Sequence, residues 1–300
     1  MRARRPDASG FVERDGISLH YEVFGGGGPT ILLLPTWSIV PSGHWKLQVP
    51  YLARDHRVVT FDGRGSGLSD RPVEPAAYRD EEYAADAVAV LDAIGADRAV
   101  LVALSSGATW AVHLAAKHPD RVDGLVAIGP ACAFRIPHPD RQSIDWFGIV
   151  ESPDGWAKYN RRYWLEGGYD DFLHFFFGEM FLEPHSSKQI EDGVNWGREV
   201  EPATLVATND AARHGGGGVA PESIEELCGR VRCPVLVVHG VADPIIPIAV
   251  GARLAELTGG SLVRIEGGGH GPHVRDPVFV NGLIVEFVES VTMRALAADR

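Results

Sequence analysis

Two adjacent serines stand in Ala103-Leu104-Ser105-Ser106-Gly107, where a run of β-forming residues gives way to a helical pattern. A serine hydroxyl is a weak nucleophile unless a base accepts its proton and donors hold the resulting oxyanion. A sharp strand-to-helix turn exposes the hydroxyl at a helix N-terminus, but its crowded backbone requires small residues two before and two after the nucleophile. Around Ser105 those positions are Ala103 and Gly107, whereas around Ser106 they are Leu104 and Ala108. Ser105 is therefore the candidate nucleophile, and Ser106 offers its backbone N–H to the oxyanion. Leu104, beside the nucleophile, is expected to touch substrate.

Other clusters carry less. His270 and His273 form a His-x-x-His pair, but no third ligand of suitable spacing accompanies them, so no metal site is expected. His273 reads as a pocket residue or a helix cap. His44, His113 and His118 read as a loop residue, a helix face and a helix C-terminus. The glycines of "DGRGSGLSD" (62–70) lack the Lys-Ser/Thr of a phosphate loop and the third-glycine spacing of a dinucleotide fingerprint, so no nucleotide or other cofactor is implied. Cys132, Cys228 and Cys233 show no ligand spacing and read as ordinary reduced thiols.

The elements that position these residues follow from periodicity. "TILLLP", "RVVTFD", "AVLVAL", "GLVAIG", "PVLVVHG" and "SLVRIEG" are short apolar runs bounded by turn residues, as in strands buried on both faces of a parallel sheet. Helical patterns alternate with them: "EEYAADAVAVLDAIG" ends at Gly95, and "GATWAVHLAAKHPD" ends before Pro119. Asp15-Gly16 lies between two alternating segments and predicts a hairpin. The pattern predicts an α/β fold with a doubly wound, mostly parallel sheet. The alternation lapses over 131–225, which holds 14 of the 26 aromatic residues. This stretch predicts a helical cap over the C-terminal edge of the sheet, ending in "HGGGG" (214–218), with the core formed by 1–130 and 226–300.

Composition sets outer bounds. The chain has 300 residues, 45% hydrophobic content and a formal charge of −12, and its Lys and Arg form no cluster able to track a nucleic acid. No apolar run approaches a membrane span, and the basic start lacks a signal-peptide core, so a cytoplasmic protein with a small-molecule partner is expected.

On these residues the sequence resembles the α/β-hydrolase fold family, whose small-x-Ser-x-small turn matches Ala103 to Gly107. The resemblance implies that the acid is Asp243, in the Gly-x-x-Asp turn after "VLVVH", and that the base is His270, after the last strand. The chain order Ser105, Asp243, His270 is the one this family uses. It further implies that 62–70 is a structural turn and that the loop after the third strand completes the oxyanion site. There the chain departs from the family, with Pro35-Thr36-Trp37 where His-Gly is usual. By position Trp37 supplies the N–H, and the Thr36 hydroxyl is a second candidate donor. The expected activity is serine hydrolysis of a mostly apolar ester or carbonyl compound, by carboxylic-ester or C–C bond cleavage. An acyltransferase, a non-hydrolytic lyase, cyclase or cofactor-free oxygenase, and a ligand-binding module without turnover are the alternatives. A serine in the turn argues against the family's aspartate-nucleophile branches.

Overall fold

The computed structural model describes residues 4–141, 143–151, 153–213 and 222–298. Asp15 and Gly16 both adopt positive φ, 52° and 77°, the conformation a two-residue type I′ turn requires. They join strand β1 (Ala8–Arg14) to β2 (Ile17–Phe24) with Arg14 opposite Ile17. The chain then runs through β3 (Thr30–Leu33), α1 (Val49–Leu52), β4 (Arg57–Phe61), α2 (Asp80–Ala93), β5 (Ala99–Leu104), α3 (Ser106–Lys117) and β6 (Val122–Ile128). After a long excursion come β7 (Val235–Gly240), α9 (Ile248–Thr258), β8 (Ser261–Ile265), α10 (Pro272–Arg275) and α11 (Pro277–Ala298).

The eight strands form one sheet in the order β1-β2-β4-β3-β5-β6-β7-β8. Pairing is antiparallel at β1–β2 and β2–β4 and parallel elsewhere. Every residue of β5 and β7 is buried, which explains why these strands are uniformly apolar rather than alternating. Along β5 the side chains divide by parity. Val100, Val102 and Leu104 join the layer containing α1 and α11, and Ala99, Leu101 and Ala103 join the layer containing α2 and α3. The order reverses at β3, which has β4 on one side and β5 on the other. Loops leaving β3 and β5 therefore meet at the C-terminal edge, where open α/β sheets hold their ligands. Among the described residues no helix is long and apolar enough to cross a membrane.

Between β6 and β7 the described chain forms turns and the helices α4 (Arg161–Tyr163), α5 (Tyr169–Met180), α6 (Ser187–Gly197), α7 (Pro202–Arg213) and α8 (Ile224–Cys228). The "HGGGG" stretch lies outside the described residues. The aromatics of the excursion pack on one another: Trp164 lies 4.4 Å from Phe172 and 5.0 Å from Trp146, ring centre to ring centre. They also reach the sheet. Trp37, from the loop after β3, stands 5.8 Å from Tyr159 and 5.4 Å from Phe176, and its indole N–H donates to the Thr208 hydroxyl on α7 at 3.0 Å.

The glycine-rich loop after β4 is a structural hub. Asp62 accepts from the N–H groups of Ser42 and Leu68 at 2.9 and 3.0 Å, and the Ser66 hydroxyl donates to the Val40 carbonyl at 3.1 Å. Arg64, 2% exposed, forks onto the fully buried Asp86 of α2 with bonds of 2.7 and 2.6 Å. Arg14 of β1 donates to the same carboxylate at 2.6 Å. The polar groups of this loop thus fasten the loops of the sheet's edge to α2.

Candidate active site

Ser105 is the junction between β5 and α3, with φ 53° and ψ −120°. Positive φ is uncommon for a residue with a Cβ, and strain of this kind concentrates at functional sites. The backbone around it explains how the conformation is held. The Ser105 N–H donates to the Ile128 carbonyl at 2.9 Å, and its own carbonyl accepts from Ala108 and Ala131 at 3.0 Å each. Gly107 permits a close approach at this corner, because a Cβ there would overlap the Pro35 carbonyl oxygen. The loop after β3 and the start of α3 are thereby in contact. Among the described residues no hydrogen bond uses the backbone N–H of Trp37 or of Ser106, or the hydroxyl of the buried Thr36.

Asp243 and His270 come from the loops after β7 and β8. The Asp243 Oδ1 atom accepts from the N–H groups of Ile245 and Ile246 at 2.8 and 2.9 Å, which leaves Oδ2 to accept from His270 Nδ1 at 2.7 Å. With Nδ1 bonded to a carboxylate, the Nε2 atom is the free acceptor in the neutral ring. The ring lies against the turn after β6, where a Cβ on Gly129 would stand 3.2 Å from His270 Nδ1. Ser105 is bonded to the residues on both sides of that same turn, Ile128 and Ala131. No hydrogen bond joins the Ser105 hydroxyl to His270 in this arrangement.

His239, at the end of β7, is a partner that sequence spacing does not disclose. Its Nε2 atom is 3.2 Å from Asp243 Oδ2 and 3.0 Å from the Ile246 carbonyl. Burial by itself would raise the Asp243 pKa. The charge of His270 and the hydrogen bonds of His239 and His270 outweigh burial and hold the carboxyl well below its ordinary range.

The two histidines of His-x-x-His go separate ways. His270 faces Asp243, whereas His273 on α10 is fully buried with its Nε2 atom 3.4 Å from Nδ1 of His44. His44, read from sequence as a loop residue, is also buried, 3% exposed, in a short turn over Ser42–Trp45. Both line a narrow cavity of ≈ 30 Å³ that Leu104 also lines, with Val40, Phe177 and Met180. A larger cleft of ≈ 280 Å³ opens nearby; neither space is lined by Ser105, Asp243 or His270, and the inner one alone is lined by Leu104, the residue before Ser105. Lys46 and Trp196 border both spaces, and an ion pair from Lys46 to Asp192 of α6 bridges the sheet side to the excursion between them.

A doubly wound sheet with a strained serine after β5, an acid after β7 and a histidine after β8 has the architecture of an alpha/beta hydrolase. The family model described as alpha/beta hydrolase fold matches residues 29–277, and the chain belongs to that family. It is an enzyme of the hydrolase class. It is 29% identical to the protein named "Putative carbamate hydrolase RutD" of Caulobacter sp. (strain K31), over 90% of this chain and 95% of that one. It is 27% identical to the 2-hydroxymuconate semialdehyde hydrolase of Pseudomonas sp. (strain CF600), over 94% of each. Among solved structures, Est816, titled an N-acyl homoserine lactone degrading enzyme, superposes with a TM-score of 0.73 at 26% identity, covering 93% of this chain and all of that one.

Proposed function

We propose that the chain is a serine hydrolase of small, mostly apolar ester or carbonyl substrates, with Ser105 as nucleophile, His270 as base and Asp243 as its orienting acid. The observation that supports this most is the Asp243–His270 bond of 2.7 Å on the turn that also anchors the strained Ser105 backbone. In this reading His270 Nε2 takes the Ser105 proton as Oγ attacks the substrate carbonyl, then delivers it to the leaving group. Asp243 fixes the tautomer and steadies the imidazolium. The N–H groups of Trp37 and Ser106, unused by other bonds of the described residues, hold the oxyanion, and the Thr36 hydroxyl is a third donor. Water then releases the acyl group by the reverse proton path. No step requires a bound cofactor.

Residues 131–225 are read as the cap that encloses the substrate. Val40, Leu104, Phe177 and Met180 give the inner cavity its apolar wall, and His273 lines it as a substrate contact. The relatives' names give a carbamate, a 2-hydroxymuconate semialdehyde and an N-acyl homoserine lactone, each of which contains a carbonyl that a nucleophile could attack.

The test is covalent labelling by a fluorophosphonate with mass mapping, followed by turnover in ¹⁸O-water. Labelling should fall on the peptide containing Ser105 and vanish in His270→Ala. The acid product should carry ¹⁸O. An unlabelled product from active enzyme would exclude hydrolysis and favour the non-hydrolytic alternative.

A further inference from the structure

We infer that the inner cavity holds a neutral hydrogen-bonding oxygen of the substrate, a ketone or hydroxyl remote from the reacting carbonyl, and that His44 Nε2 is the atom that recognises it. This deepens the hydrolase reading and rests on it for the direction of the substrate, which reaches this cavity past Leu104, the residue before Ser105.

His44 is nearly sealed from solvent, yet its Nε2 atom has no hydrogen-bond partner among the described residues. A buried polar atom without a partner is a liability that native structures rarely carry without a ligand or a water. The wall is mostly apolar, from Val40, Leu104, Phe177, Met180 and Phe181, with His273, Gln189 and the paired Lys46 and Asp192 as its other polar members. The free space of ≈ 30 Å³ admits a small terminal group and excludes a ring.

The pairing of His44 Nδ1 with His273 Nε2 at 3.4 Å determines what His44 Nε2 can offer. If Nδ1 of His44 carries the shared proton, its Nε2 is an acceptor and suits a hydroxyl. If Nε2 of His273 carries it, His44 Nε2 holds an N–H and suits a ketone or a hydroxyl oxygen. Charged groups are disfavoured in both cases. Burial pushes the His44 pKa down to about 3, against the opposing charge of Asp62. Burial also lowers His273, and the charges of His44 and His270 add to the effect. The charged groups at the cavity wall, Lys46 and Asp192, are paired with each other. An anionic substrate would have to displace Asp192.

The experiment compares p-nitrophenyl esters of straight-chain alkanoic acids with esters of equal length bearing a ketone at the penultimate carbon, and with dicarboxylic half-esters. At the length that fills the cavity, the oxo ester should exceed its alkyl counterpart in kcat/KM by about tenfold, the scale of one buried neutral hydrogen bond. The half-ester should be the poorest. His44→Leu should abolish the oxo preference, and His44→Gln, which keeps a hydrogen-bonding group, should retain part of it. Equal rates for oxo and alkyl esters at every length, or a preference that survives His44→Leu, would overturn the inference and leave the hydrolase reading intact. A preference for the half-ester would overturn it in favour of Lys46. Failure of the hydrolase reading itself would show as no turnover and no labelling of Ser105. In that event the titration of Ser105→Ala protein with methyl hexyl ketone, followed by the ¹⁵N resonances of the His44 ring, still decides. A shift that saturates supports the site, and its absence overturns it.

Discussion

At the scale of single residues, Ser105 joins a strained backbone to the hydroxyl proposed as nucleophile, and mutation can separate the two. Ser105→Ala should lower kcat by a factor on the order of a thousand or more, whereas Ser106→Ala should cost little because its N–H survives. Stability gives an independent check. Ala normally stabilises a site over Gly by about 0.4–1 kcal/mol, through the entropy of the unfolded chain. At φ 53° and ψ −120° the order should invert, since Gly alone takes this conformation without a Cβ penalty. Ser105→Gly is therefore expected to melt above Ser105→Ala by calorimetry, and the usual order would show that the turn is unstrained. The place of Ser105 at the tight turn between β5 and α3 was legible in sequence because steric crowding acts at fixed offsets. His239 was not, because its tie to Asp243 depends on how the turn after β7 folds back on the strand's next-to-last residue.

Burial of the histidine pair gives a further prediction at this scale. Folded His44 titrates near pH 3 and an unfolded histidine near 6.5, so below about pH 6.5 the unfolded chain binds more protons than the folded one. The stability contributed by keeping His44 neutral is complete above that value and is lost as pH falls towards 3. The slope approaches about 1.4 kcal/mol per pH unit for one such group. His44→Gln should flatten the acid limb between about pH 6 and 4 in urea titrations at stepped pH. An unchanged limb would show that His44 is solvated when folded. No periodicity marked this residue, since a lone histidine in a loop has the same sequence whether it faces water or a cavity.

At the scale of elements, the strands and the helices around Ser105 were readable because each is buried by a repeating pattern. The "DGRGSGLSD" loop was readable as a turn but not as a fastening. Its role emerges from Arg64 and Arg14 converging on Asp86, which joins β1, the loop after β4 and helix α2. Removing one partner of a buried pair leaves an uncompensated charge and typically costs about 3–5 kcal/mol. Asp86→Ala leaves Glu82 as the remaining carboxylate shared by Arg64 and Arg14, so its cost in denaturant unfolding should approach the lower end of that range. Asp86→Asn should cost less, because the amide oxygen still accepts. A loss below about 1 kcal/mol in Asp86→Ala would mean that water replaces the carboxylate.

At the scale of the whole molecule, the aromatic excursion and the sheet share one apolar cluster. It runs from Val102 and Leu104 of β5, with Trp37 packed against it, to Trp164 and Phe172. The abundance of aromatics over 131–225 was visible in sequence, but the anchor was not, because Trp37 lies far from them in the chain and was notable only for its backbone N–H. The structure gives its side chain a second task through four ring contacts and the bond to Thr208. Continuous packing of this kind predicts that sheet and excursion unfold together. Tryptophan fluorescence, weighted to the excursion by Trp146, Trp156, Trp164 and Trp196, should then coincide with far-ultraviolet circular dichroism across a urea titration. Truncation in Trp37→Ala removes the link, and because Trp37 is half-buried the loss should fall below the ~3–5 kcal/mol of a fully buried large aromatic. Because that loss falls on the junction, the fluorescence transition should move to lower urea and separate from the dichroism transition. Coincident transitions in the variant would show that the remaining contacts, the Lys46–Asp192 ion pair among them, hold the two parts together without Trp37.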